Sequence, residues 1–220
     1  MACVTSVDWA ATGSMLQGLG TIGGVIAVVW GALYGTRAWK RQKQAERRLE
    51  TAERILTATH KARSALAYVR GPMMWAQELS AAEEILKKDK HWAVQSEQRQ
   101  RRLTTAQGIL NRLNNTKDER AALDDCLPMA RALFSEDLEK AIEKLRHQFW
   151  IVQVDAESYV DDENGNDPEF TKKIRRGMYD ITPPNGERNE VSDAIAESVA
   201  IIEKTCEPAL RLDAVKSRSR

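Results

Sequence analysis

LEKAIEKLRHQFWIVQVDAESY, Leu138 to Tyr159, is the stretch on which the fold turns. Its centre, FWIVQV at 149–154, has the β-branched and aromatic composition of a strand. The wider spacing points the other way. Leu138, Ile142, Leu145, Phe149, Val152, Ala156 and Tyr159 recur in alternating steps of four and three over three heptads, which is one apolar face of a helix. A lone six-residue strand would also find no partner elsewhere in the chain. Ser135 is placed to cap this helix, and the seven stripe residues are its predicted packing positions.

The same periodicity extends outward in both directions. Downstream, DDENGNDP (161–168) and TPPNGERN (182–189) read as loops around a short basic helix, Glu169 to Arg176. A last helix begins near Glu190, with Val191, Ile195, Val199, Ile202 and Cys206 on one side until Pro208 bends or ends it. The tail KSRSR (216–220) reads as disordered. Upstream, helices are predicted from Met73 to Leu86 and from Glu97 to Leu113, the latter with Leu103, Ala106, Leu110 and Leu113 on one face. Thr116 and Glu119 have capping-box spacing and should start a shorter helix that meets Pro128. Earlier still, Ala45, Leu49, Ala52, Leu56, Thr59, Ala62, Leu66 and Val69 form a thin stripe that breaks at Gly71-Pro72 and that suits packing on the later helices as well as a coiled coil with a second copy.

The N-terminal region has a different chemistry. From Trp9 to Thr36 no residue is charged, a run of 28 in a chain of 220 residues that is 30% charged and has a mean hydropathy of −0.50. A bilayer core of ~30 Å needs ~20 mostly apolar residues in a helix, so the run is long enough to span one. A cleaved signal peptide would carry its positive charges first, whereas here the basic cluster follows the apolar run. Between Arg37 and Arg63 nine Lys/Arg face three acids. That excess predicts a cytoplasmic C-terminal side, an inner-membrane location and an N-terminus outside. Arg37, Lys40, Arg41, Lys43, Arg47 and Arg48 are then candidates for contact with anionic lipid headgroups, and no nucleic-acid role is expected.

Glycine is concentrated in the same run. On a wheel of 100° per residue, Gly13, Gly20, Gly24, Gly31 and Gly35 fall within about 60° of one another, with Ala27 on the same line and Gln17 at its border. Gly20/Gly24 and Gly31/Gly35 have the G-x-x-x-G spacing that lets helices approach closely in lipid. These residues form a candidate helix–helix face, and a homo-oligomer is expected.

Sites of chemistry are scarce. His60, His91 and His147 lack the spacing of a metal pair, and the acidic loop fails the EF-hand pattern because Val160 stands at its first position. No phosphate-binding glycine loop or nucleophile elbow occurs outside the apolar run. Three unpaired cysteines suit a reducing compartment. No enzyme activity, cofactor or metal is therefore expected.

The order QGLGTIGG (17–24), RAWKRQ (37–42) and AERRLETAERILTATHKARSALAYVRGP (45–72) resembles uncharacterised single-pass bacterial membrane proteins with a Gly-rich anchor and a helical cytoplasmic region. The likeness covers roughly residues 15 to 75 and implies an inner-membrane setting without a catalytic role. The predicted fold is all-α. A short extracytoplasmic N-terminus (1–8) precedes an N-terminal transmembrane helix (9–36), a basic helical stalk (37–70), a small cytoplasmic antiparallel helical bundle (71–213) and a basic tail (214–220). Two functions are compatible with this layout. One is a self-associating scaffold with a cytoplasmic protein partner; the other is a small pore-forming or membrane-disturbing effector.

Overall fold

The computed structural model describes the backbone of residues 9–162, 167–181 and 188–211, and within the first helix the side chains at 28, 30, 31, 34–37 and from 39 onward. Among the described residues all regular structure is helical, with no strand. Its elements are α1 (Trp9–Val69), α2 (Ala76–Leu86), a 3-10 turn (Trp92–Val94), α3 (Glu97–Asn115), α4 (Lys117–Leu133), α5 (Glu136–Asp161), α6 (Pro168–Met178) and α7 (Glu190–Leu210). The chain forms two compact units, Met1–Arg47 and Arg48–Arg220.

In the first unit the described side chains Val28, Trp30, Tyr34 and Trp39 are exposed, with Trp30 stacked on Tyr34 at 6.2 Å. Among the described residues no helix is long and apolar enough to cross a membrane. Most of the uncharged run lies outside the residues whose side chains are described, as do the N-terminus with Cys3, most of both predicted loops and the basic tail.

In the second unit α5 is central. Its stripe Leu138, Ile142, Leu145, Phe149, Val152 and Ala156 is buried, with Tyr159 half-buried against the same core. The Ser135 hydroxyl accepts from the Leu138 amide at 3.2 Å and starts the helix. Ion pairs Arg146–Asp124 and Arg131–Glu139 run in opposite sequence directions, so α4 is antiparallel to α5. Arg102 reaches the carbonyls of Tyr159 and Asp162, which places α3 beyond α4 along the same helix. His60 faces Glu203 and Arg70 reaches Ser192, making α7 antiparallel to α1.

Residues 48–69, which sequence periodicity assigns to a stalk, contribute Ala52, Ile55, Ala58, Ala62, Ala65, Leu66 and Val69 to the core. These core residues lie on one face of the helix, while Glu53, Arg54, His60, Lys61 and Ser64 on the other face are exposed. Four other local expectations change. The capping box at Thr116 does not form: its hydroxyl donates back to the carbonyls of Arg112 and Leu113, joining α3 to α4 at one residue. α4 passes through Pro128 to Leu133, because Cys126 and Ala130 are buried on either side of the proline. α7 likewise passes Pro208 to Leu210. The helix expected from Met73 starts at Ala76, since the Met73 carbonyl is bound by Arg112 at 2.7 Å.

Candidate functional site

The core stripe of α5 leaves a second face at positions 148 and 155, seven residues apart and so on one side of the helix. Gln148 is only 3% exposed. Its Nε2 donates to the Lys144 carbonyl at 2.8 Å, and its Oε1 is buried without a donor. An orphaned buried acceptor costs about 1–3 kcal/mol, so this amide is unsatisfied as it stands.

Asp155 projects against α6. A Cβ at Gly177 would collide with the Asp155 carboxylate, so glycine is what admits the acid. Burial pushes the Asp155 carboxyl up to about 6, against the pull of Lys173 and Arg70. Between the two polar positions, Trp150 is 56% exposed and its ring stacks on His147 at 4.9 Å. With Ile151, Val154, Lys173 and Arg176, and Glu190 at the start of α7, these residues line a cleft of about 450 Å³. That is the size of a small-ligand site.

Two buried arginines brace the surroundings. Arg70, just past α1, donates to the carbonyls of Arg176 (2.8 Å), Gly177 (3.0 Å) and Tyr179 (3.1 Å), and to Asn189 Oδ1 and Ser192 Oγ (both 3.0 Å). Carbonyls at a helix C-terminus have no partner within the helix, so Arg70 completes α6 while holding the Asn189 cap of α7. Arg112 does the same for α1, reaching the carbonyls of Tyr68, Gly71 and Met73 while its fork grips Glu78 at 2.7 and 2.8 Å. Those bonds hold the Glu78 carboxyl down to about 2.

Of the residues predicted for helix–helix packing in lipid, Gly13, Gln17, Gly20, Gly24 and Ala27 lie on α1 with their surroundings outside the described residues. Gly31 and Gly35 are described and open, with nothing within 4 Å of a Cβ at either. The headgroup candidates Arg37, Lys40, Arg41, Lys43, Arg47 and Arg48 are all exposed. Lys43 pairs with Glu46 at 3.2 Å, and Arg48 lies 5.2 Å over the Phe134 ring.

Sequence periodicity found the α5 stripe but not the cleft beside it, since Gln148, Trp150 and Asp155 read as the polar and mixed remainder of an amphipathic helix. Arg70 and Arg112 were equally hidden among exposed-looking charges. The only available signal was glycine: Gly71 and Gly177 both sit where an arginine takes their carbonyls. Cys126 and Cys206 are free and buried, and burial pushes the Cys206 thiol up to about 11. Among the described residues no group of three or more His, Cys, Asp or Glu side chains gathers as a metal site requires.

No protein-family model matches the chain, and neither a curated protein nor a solved structure is similar to it.

Proposed function

We propose that this is a non-enzymatic, single-pass membrane protein that self-associates through its N-terminal helix and presents a cytoplasmic helical module for protein contacts. The observation that carries the reading is the contrast within α1. The stretch from Trp9 to Thr36 has no charge, and its described side chains Val28, Trp30 and Tyr34 are exposed, whereas from Ala52 on the apolar residues are buried in a protein core. Bare apolar and aromatic side chains on a helix call for lipid or another helix around them. The open faces of Gly31 and Gly35, beside the rest of the glycine stripe, suit close approach of a second copy. The basic flank from Arg37 to Arg48 then meets anionic headgroups on the cytoplasmic side of the inner membrane.

Alkaline carbonate extraction followed by flotation tests the anchor: the full chain should stay with the vesicles. Crosslinking in those vesicles tests the stripe, and Gly24→Leu should abolish the crosslinked dimer. A chain that washes into the supernatant as a dispersed species would overturn the proposal.

A further inference from the structure

We propose that the cleft between α5, α6 and α7 binds an aliphatic cation carrying N–H donors at both ends, with its charged end on the Asp155 carboxylate and its second donor on Gln148 Oε1. This goes beyond the membrane reading and does not depend on it.

Three observations converge. Gln148 Oε1 is a buried acceptor with no donor, on a residue that lines the cleft. The Asp155 carboxylate lines the same cleft, makes no hydrogen bond to a described group and is disfavoured as an anion by burial. Each would be relieved by an incoming N–H, and Asp155 most by one that carries positive charge. Between them lie the aliphatic side chains of Ile151 and Val154, with the exposed Trp150 ring alongside. An alkyl chain packs on such a wall, and an aromatic face attracts a cation.

Spacing sets the shape of the ligand. Seven residues of helix place the two α-carbons about 10 Å apart, too far for one ammonium to bridge and suited to a short diamine or guanidinoalkylamine. An arginine or lysine side chain of a peptide offers the same chemistry, with a backbone N–H as its second donor. Glu190 adds a second carboxylate to the cleft, and Lys173 is the cation within it whose charge reaches Asp155.

Isothermal titration of the full chain in mild detergent micelles, with agmatine in one arm and acetyl-Ala-Arg-Ala-amide in the other, tests this at neutral pH. Saturable one-to-one binding is expected, weakened about tenfold or more by Asp155→Asn or Gln148→Leu. Asp155→Asn removes no hydrogen bond to a described group and Gln148→Leu removes only the bond to the Lys144 carbonyl of its own helix, and cooperative melting with no drop in midpoint verifies that both variants remain folded. Lys173→Ala should tighten binding, because it removes a competing cation. Saturation by agmatine identifies a free small molecule as the ligand; saturation by the peptide alone identifies a partner segment. The proposal is overturned if neither saturates by about 10 mM, if Asp155→Asn leaves affinity unchanged, or if inorganic phosphate binds instead and Lys173→Ala abolishes it.

Discussion

Arg70 and Arg112 are both buried and both complete the C-terminal end of a helix, yet they are neutralised in opposite ways. Arg112 has a carboxylate in its fork, and Glu78 lies only 34 positions away. Arg70 has no such partner: its nearest carboxylate oxygen, on Asp180, is 3.9 Å away, and its donors go to carbonyls, an amide and a hydroxyl. Burial accordingly lowers the Arg70 pKa, whereas the Glu78 bond raises that of Arg112. A buried guanidinium can therefore be held mainly by carbonyls and capping side chains where helix ends converge, with its carboxylate no closer than 3.9 Å. The Arg112 site ties down one linker. The Arg70 site joins the end of α1 to α6 and α7, more than a hundred positions away.

Removing each arginine tests this difference directly. Arg70→Met should be the more damaging, at about 3–5 kcal/mol, because it orphans acceptors on two helices at once. Urea denaturation would register it as a lower midpoint with an unchanged slope. For Arg112→Met about 2–3 kcal/mol is expected, since Glu78 keeps its bonds from Tyr68 and the Trp75 amide and its side chain is 23% exposed. An equal loss at the two sites would mean that the helix-end bonds of Arg70 add nothing beyond those of an ordinary ion pair.

Gly177 sharpens the comparison on the Arg70 side. Gly177→Ala pushes a methyl group into the Asp155 carboxylate and should cost about 1–3 kcal/mol. Adding Asp155→Ala to the same chain should restore most of that, so a double-mutant cycle should give a clear coupling energy. Strict additivity would show that the two residues do not meet.

The pH dependence has opposite signs at the two carboxylates. Glu78 binds its proton less readily when folded, with a pKa of about 2 against an ordinary 4.5. Its stabilisation is complete above pH 4.5 and fades as pH falls toward 2. Asp155 holds its proton more readily when folded, to about 6 against an ordinary 3.8. Its contribution is favourable below 3.8 and is lost as pH rises through 6. Stability curves of Glu78→Gln and Asp155→Asn should each lose one of these slopes, and Asp155→Asn should be the more stable protein at neutral pH.

How much of this could be read from the chain differs by element. The α5 stripe was legible because three heptads of large apolar residues leave a helix no second choice of face, and Ser135 marked its start. The caps of α6 and α7 followed the same local rules, with Asp167 and Asn189 accepting from the amides of Phe170 and Ser192. At Thr116 the local rule failed, because the joint between α3 and α4 leaves no room for an extended cap residue. Pro128 failed to end α4 because burial of the surrounding turns outweighs one lost hydrogen bond. For residues 48–69 the stripe was legible but left two uses open, packing on the later helices or on a second copy, and the burial of Ala52, Ile55, Ala62, Leu66 and Val69 in the core shows the first.

By itself the sequence determined the helical class, most helix starts and the sharp change from an uncharged to a highly charged stretch after Thr36, because these depend on periodicity, caps and charge, all local properties. Tertiary structure alone decided which charges are interior and where the cleft lies. Arg70, Arg112, Gln148 and Asp155 become distinctive only when helix ends from distant parts of the chain meet around them, and no spacing along a single helix encodes that meeting.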